Sequence, residues 1–161
     1  MRLKTKTVAL VGVCAAMAMI LSYVESFVPS PIYGVKIGLP NVVIVFLLYK
    51  LGWTKAASVS IIRVILTALL FGSVMSLWYS LAGAVLSMLV MVLLKKTNLF
   101  STVGVSVMGG IAHNIAQLAV AVLVTGVGAI AFYLPTLVVG GLAAGVVIGI
   151  AGAVIIKRVN V

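Results

Sequence analysis

Acidic residues are almost absent from this sequence. It contains no aspartate and one glutamate, Glu25, against 11 lysines and arginines, and charged residues make up only 7% of its 161 residues. Soluble proteins carry about 25% charged residues, because charged groups keep a water-facing surface hydrated. Since 65% of the residues are hydrophobic, this chain cannot cover a water-facing globule, and lipid is the expected solvent.

Cysteine and histidine are equally scarce, which limits redox and metal chemistry. Cys14 and His113 are each the single residue of their kind. One cysteine excludes an intramolecular disulfide, and one histidine without aspartate gives too few ligands for a metal site. The sequence also lacks a P-loop, so any ATP hydrolysis must come from a partner protein. Nothing in the residues identifies a cofactor.

Six apolar runs occupy most of the chain. A transmembrane helix needs about 20 apolar residues to cross a hydrocarbon core of roughly 30 Å. The second run is short and contains Pro40, which favours a tilted, broken or partly re-entrant helix. The sequence therefore predicts an all-α membrane protein, a single integral membrane domain over residues 1–161. The predicted spans are approximately 7–28, 36–49, 53–71, 74–94, 102–127 and 130–156.

The basic residues predict the orientation of these spans. Cytoplasmic loops near a membrane retain lysine and arginine. If the chain crosses six times, one side carries all but two of the basic residues, namely Arg2, Lys4, Lys6, Lys50, Lys55, Lys95, Lys96, Lys157 and Arg158. Lys36 alone falls on the other side. We therefore expect a multi-pass protein of the cytoplasmic membrane with both termini in the cytoplasm. The scattered positive charge forms no basic domain for nucleic acid.

Arg63 is the clearest candidate for a functional residue, because ionisable groups at bilayer depth are costly and rare. It lies eight residues beyond Lys55, which is roughly 12 Å at the rise of a helix. One interpretation is a structural ion pair with Glu25, near the outer end of the first span. The other is contact with an anionic substrate, since arginine suits carboxylate and phosphate. Both interpretations hold if a substrate competes with Glu25 for the arginine.

A second polar cluster lies in the fifth span. His113 and Gln117 are one turn apart and share a helix face with Asn114 beside them. This cluster either forms hydrogen bonds between helices or lines a cavity. Further polar groups lie towards the outside, which indicates a pocket that opens outward and is closed inward. The candidate substrate-binding residues are Glu25, Lys36, Asn41, Arg63, Tyr79, His113, Asn114 and Gln117.

Small residues recur at four-residue spacing, which lets helix backbones approach closely in lipid. In the last span, Gly141, Gly145 and Gly149 share one face, and we expect that face to pack inside the bundle. In the first span, Gly12 and Ala16 form a similar ridge. That ridge either packs inside the bundle or docks a partner helix.

Several motifs make the chain resemble a known family over nearly its full length. The family is the Gx transporter family, also labelled heptaprenyl diphosphate synthase component I, and it is related to the substrate-binding S-components of energy-coupling factor transporters. One departure is Pro40, where alanine is commoner in the family. The motifs are Val-Glu-Ser-Phe-Val-Pro at 24–29, Gly-Val-Lys-Ile-Gly-Leu-Pro-Asn at 34–41, Arg-Val-Ile-Leu at 63–66 with Phe-Gly-Ser at 71–73, Tyr-Ser-Leu-Ala-Gly-Ala at 79–84, Gly-Gly-Ile-Ala-His-Asn-Ile-Ala-Gln at 109–117 and Tyr-Leu-Pro at 133–135.

The resemblance implies an S-component-like bundle of six helices that captures a small molecule near its outer side. In such proteins a small-residue motif on the first helix docks a transmembrane coupling subunit, and ATPase subunits drive transport. Here that motif corresponds to Gly12 and Ala16. Some family members are associated with flavin-linked extracellular electron transfer, so a membrane component of a flavin, quinone or prenyl-compound pathway, with a flavin-linked membrane partner, is the alternative.

The enzyme label meets a physical objection. Prenyl diphosphate synthesis needs carboxylates that hold Mg²⁺ on the diphosphate. A chain with no aspartate and one glutamate cannot build such a site alone. The sequence therefore predicts a non-catalytic subunit that binds a small, anionic or polar-headed molecule.

The predicted topology is testable by cysteine labelling in a background that lacks Cys14. A single cysteine introduced at position 96 should be labelled only after the membrane is permeabilised, because Lys95 and Lys96 are expected on the cytoplasmic side. Labelling at position 96 by an impermeant reagent in intact cells would show that the orientation is wrong.

Overall fold

The computed structural model describes residues 2–27 and 38–159, and both stretches are largely helical. Five of its helices are long and apolar enough to cross a membrane, so the all-α class is confirmed and the chain is a multi-pass membrane protein. The elements are α1 (Arg2–Ser26), α2 (Asn41–Lys50), α3 (Trp53–Phe71), α4 (Val74–Thr97), α5 (Thr102–Thr125), a 3₁₀ helix (Gly128–Tyr133) and α6 (Leu134–Arg158).

The second helix is shorter than the sequence predicts. α2 begins at Asn41, directly after Pro40, and has 10 residues. Ten residues rise only about 15 Å, which is half of a hydrocarbon core of about 30 Å. The first part of the predicted span 36–49 lies outside the described residues, as does Lys36. Six crossings and cytoplasmic termini therefore stay predictions.

Although short, α2 supplies the centre of the hydrophobic core. Its buried residues run without a break from Val43 to Leu48, as expected for a helix that is apolar all round and enclosed by protein. α2 packs against α1, α3 and α6. Because α4 packs on α3 and α5, and α5 packs on α6, the helices α2 to α6 close a ring. α1 packs mainly against α2 and α3, at the periphery of this ring.

The glycine face of α6 lies directly against the backbone of α5. A Cβ atom placed on Gly145 would come 2.5 Å from the Cα of Val107, and one on Gly149 would come 2.7 Å from the Cα of Val103. At Gly141 the nearest atom would be the carbonyl oxygen of Gly110, at 2.9 Å. The expected packing of this face inside the bundle is confirmed, since no side chain fits between the two helices.

Basic residues gather where α2, α4 and α6 end. The Lys95 Nζ donates to the Leu48 carbonyl oxygen at 2.6 Å and lies 4.8 Å from the centre of the Tyr49 ring. A cation at this position is stabilised by the partial negative charge of a helix C-terminus. We call this end of the bundle, which also carries Lys50 and Lys157, the basic end.

Alanine substitution of two glycines separates close packing from helix propensity. Gly145→Ala should lower the free energy of unfolding by about 1–3 kcal/mol, because its methyl group collides with α5. Gly12→Ala is the matched control, since a Cβ there would meet no atom within 4 Å. That change should be neutral or stabilise by up to about 1 kcal/mol. Unfolding in detergent measures both, and equal effects at the two positions would contradict the α5–α6 geometry.

Candidate ligand-binding cavity

A cavity of about 110 Å³ lies between α1, α2, α3, α4 and α5, at the end of the bundle opposite the basic end. Ten of its 15 lining residues have polar side chains, although the surrounding helices are strongly apolar. Polar groups removed from water are costly unless they are hydrogen-bonded, so such a concentration within the apolar part of the bundle marks a candidate site. The lining residues are Ser22, Glu25, Ser26, Gly38, Asn41, Arg63, Val64, Thr67, Ala68, Phe71, Gly72, Ser76, Ser80, His113 and Gln117.

Arg63 enters the cavity from the middle of α3. Its Nη2 donates to the Asn41 Oδ1 at 3.5 Å, across to the first residue of α2. Its Nε is buried and has no acceptor among the residues that the structure describes. A guanidinium has five N–H donors and no acceptor, so this group still requires hydrogen-bond acceptors.

Glu25 reaches the same cavity from α1, but its carboxylate is hydrogen-bonded to the backbone of Gly38 and not to Arg63. Its Oε1 accepts from the backbone N–H of Gly38. Gly38 has a positive φ of 76°, and a Cβ there would come 2.9 Å from the Asn41 Nδ2, so glycine is required at this position. Glu25 also attracts Arg63 through space. The carboxylate thus acts as a countercharge, while the contact of Arg63 is with Asn41.

His113 and Gln117 lie between this cavity and a smaller one of about 50 Å³ nearer the bundle interior. Both cavities also share Gly38 and Asn41. The His113 ring packs on the α4 backbone, because a Cβ on Gly83 would come 2.7 Å from its Nε2. The inner cavity is completed by two buried serines, glycines and apolar side chains, namely Val45, Ser87, Met91, Ser106, Gly109, Gly110, Gly141, Ala144, Gly145 and Ile148.

The structure brings together five of the eight residues selected from the sequence, namely Glu25, Asn41, Arg63, His113 and Gln117. Asn114 instead lies on another face of α5, where its Nδ2 donates to the Leu137 carbonyl oxygen of α6 at 2.7 Å. Tyr79 is absent from the lining of both cavities. Lys36 lies outside the described residues.

Sequence reasoning missed the hydroxyl groups of the lining. Ser22 and Ser26 on α1 are four residues apart, as are Ser76 and Ser80 on α4. This spacing places each pair on one helix face, a signal that the sequence contained. Phe71 gave no such signal. Its ring lies 5.0 Å from that of Tyr23, a contact that depends on the packing of α1 against α3.

Two helices begin at this cavity. α2 starts at Asn41, and α4 starts after Ser73, whose side chain accepts from the Ser76 backbone N–H at 3.2 Å in a capping box. The N-terminal end of a helix carries about half a positive charge and favours anions. Short helices that begin inside membrane proteins place this charge near bound anionic groups.

The ridge of small residues on α1 is open. Gly12 and Ala16 are exposed, whereas Cys14 and Ala18 beside them are buried against the core. A Cβ on Gly12 would meet no atom within 4 Å. The ridge therefore contributes nothing to packing inside the bundle, unlike the glycine face of α6.

No group of three or more histidine, cysteine, aspartate or glutamate side chains comes together within 2–27 and 38–159. No curated protein and no solved structure matches this chain. A family model described as heptaprenyl diphosphate synthase component I matches residues 14–155, which include α2 to α5 entirely and all the cavity residues. The chain therefore belongs to the heptaprenyl diphosphate synthase component I family, which is also called the Gx transporter family.

Proposed function

We propose that this protein is an S-component-like substrate-capture subunit, which binds a small anionic or polar-headed molecule in the cavity around Arg63. The observation that carries this proposal is the buried Arg63 Nε, which has no acceptor among residues 2–27 and 38–159. A buried unsatisfied donor costs about 1–3 kcal/mol, more when it is charged. A bound carboxylate or phosphate removes this penalty, and arginine binds either group through two parallel hydrogen bonds.

The remaining groups of the cavity also favour an anion over a cation. Glu25 is the single carboxylate of the chain, and its Oε1 already accepts from Gly38. Arg63 and the N-terminal ends of α2 and α4 supply positive potential that adds at the same place. His113, Gln117 and the serine hydroxyls supply hydrogen bonds that orient the rest of the ligand.

The volume of the cavity supports a small ligand. An apolar cavity of about 150 Å³ accommodates benzene, so the smaller volume of about 110 Å³ suits a short-chain molecule. A flavin or a prenylated quinone is far larger, which is why we place capture of a small anion above a flavin or quinone pathway. The family description names a synthase component, but a chain with one carboxylate lacks ligands for the Mg²⁺ of prenyl diphosphate chemistry.

Transport would require partner subunits, and the exposed ridge of α1 is the surface that we assign to them. Gly12 and Ala16 leave the backbone of α1 accessible, and close backbone approach through small residues drives helix association in lipid. α1 packs mainly against two helices, α2 and α3, and its ridge is exposed, so that face is open to a coupling subunit.

Arg63→Gln tests the role of Arg63 in binding. The substitution removes the charge and should weaken binding about tenfold to a hundredfold, since a hydrogen bond to a charged group contributes about 1.5–3 kcal/mol. A panel of small monocarboxylates and monophosphates, with neutral and cationic analogues of the same size, would be screened by thermal stabilisation in detergent. Affinities of the hits would then be measured in nanodiscs.

Two controls separate binding from folding in this experiment. Asn114→Ala should lower stability by about 0.6–1.7 kcal/mol, the range for hydrogen bonds between membrane helices, and leave affinity unchanged. Glu25→Gln and the Glu25→Gln, Arg63→Gln double variant measure the coupling between the two charges. If Arg63→Gln binds anions normally and loses as much stability as Glu25→Gln, then Arg63 is a structural partner of Glu25 and the proposed site is wrong.

Leucine substitutions on the α1 ridge test partner assembly. Gly12→Leu and Ala16→Leu should leave the protein inserted and ligand affinity unchanged, but weaken co-purification with a transmembrane coupling subunit about tenfold, because the added side chains separate the two helices. Met17→Phe, which adds volume at an exposed position on a different face of α1, is a size control. Unchanged assembly in both ridge variants would mean that this face contacts lipid alone.

A further inference from the structure

An apolar groove of about 420 Å³ runs between α3 and α4 on the outer surface of the bundle and shares no lining residue with the Arg63 cavity. It begins at the basic end, where Trp53 and Lys96 form its mouth, and is otherwise lined by small and aliphatic side chains. The lining residues are Trp53, Ala57, Ser60, Ile61, Ala84, Val85, Met88, Leu89, Val92, Leu93 and Lys96.

The length of the groove corresponds to one leaflet of a bilayer. Along α4 it extends from Ala84 to Lys96, which is about 18 Å at the helical rise. Half of a hydrocarbon core is about 15 Å. Its apolar part therefore lies at the depth of the acyl chains, and its mouth lies at the level of the headgroups. Trp53 is 57% exposed, as expected for an anchor at that interface.

Lys96 is the feature that distinguishes the groove from an ordinary lipid-facing surface. Its neighbour Lys95 is engaged with the Leu48 carbonyl oxygen and the Tyr49 ring. Lys96 is exposed, and its ammonium has no hydrogen-bond or ion-pair partner in the described part of the chain. Glu25, the single acidic residue, lies at the opposite end.

We propose that this groove binds one anionic phospholipid of the leaflet at the basic end, with an acyl chain between α3 and α4 and its phosphate on Lys96. The acyl chain contributes van der Waals packing against α3 and α4, because no hydrophobic driving force favours one apolar surface over another within a bilayer. Lys96 supplies the preference for a negative headgroup, which Lys95 cannot supply while it is bonded to α2.

A second groove provides a comparison within the same molecule. This groove, of about 590 Å³, lies between α4 and α5 near Trp78 and Leu123, towards the end of the bundle opposite the basic end. Its lining contains no charged residue. It shares Val85 and Leu89 with the first groove. We expect this surface to take acyl chains without preference for the headgroup, so selectivity should follow Lys96 alone.

Native mass spectrometry of the full chain, released from nanodiscs of equal dioleoyl phosphatidylglycerol and dioleoyl phosphatidylcholine, tests the proposal. The wild-type protein should retain one phosphatidylglycerol about fivefold over phosphatidylcholine, since a basic residue near anionic lipid contributes about 1 kcal/mol. Lys96→Gln should abolish this preference. Lys157→Gln, which removes the same charge at the same end but away from the groove, should keep it.

A third variant tests the acyl chain independently of the charge. Ala57→Phe keeps Lys96 and fills the groove, so it should reduce retention of both lipids at this site. Undiminished phosphatidylglycerol preference in Lys96→Gln, or equal loss in Lys157→Gln, would overturn the site. Stronger retention of added geranylgeranyl diphosphate than of phosphatidylglycerol would overturn the phospholipid assignment in favour of an isoprenoid diphosphate.

Discussion

A permanently charged guanidinium within a membrane helix imposes the main constraint on this structure. Arg63 cannot be deprotonated, and lipid offers it no hydrogen bonds. The bundle therefore surrounds it with Asn41, the countercharge of Glu25 and the hydroxyl-bearing faces of α1 and α4. The acceptor from the short helix α2 is its first residue, Asn41, whose Oδ1 receives the hydrogen bond of Arg63.

The glycines serve two opposite purposes, which their surroundings distinguish. Those of α6 remove side chains so that α5 and α6 touch along their backbones, and this contact fixes the helix that carries His113 and Gln117. Gly12 on α1 has open space around it. The same small-residue pattern therefore packs one helix inside the bundle and lies on an exposed surface in the other.

Much of the fold was accessible from the sequence, because long apolar runs and their breaks are local signals. The bounds of α3 agree with the prediction, and those of α4 and α5 differ by two or three residues at one end. The short second run with Pro40 predicted a tilted, broken or partly re-entrant helix, but which three helices bury α2 depends on packing that no local signal specifies. In the cavity, Arg63 was identifiable from its cost in lipid. Asn114 and Gln117 are three residues apart on α5, yet the side chain of Asn114 contacts α6 and that of Gln117 lines the cavity. Only the packing of the helices distinguishes the two positions.

The nuclear magnetic resonance signal of the Arg63 Nε–H group tests the central claim most directly, because this buried group has no acceptor in the described part of the chain. In nanodiscs, addition of small monocarboxylates or monophosphates should shift that resonance saturably, while the resonance of Arg158, exposed at the end of α6, stays in place. If neutral or cationic compounds stabilise the protein and the Arg63 resonance responds to no anion, then the cavity is not built for anions and the account is contradicted.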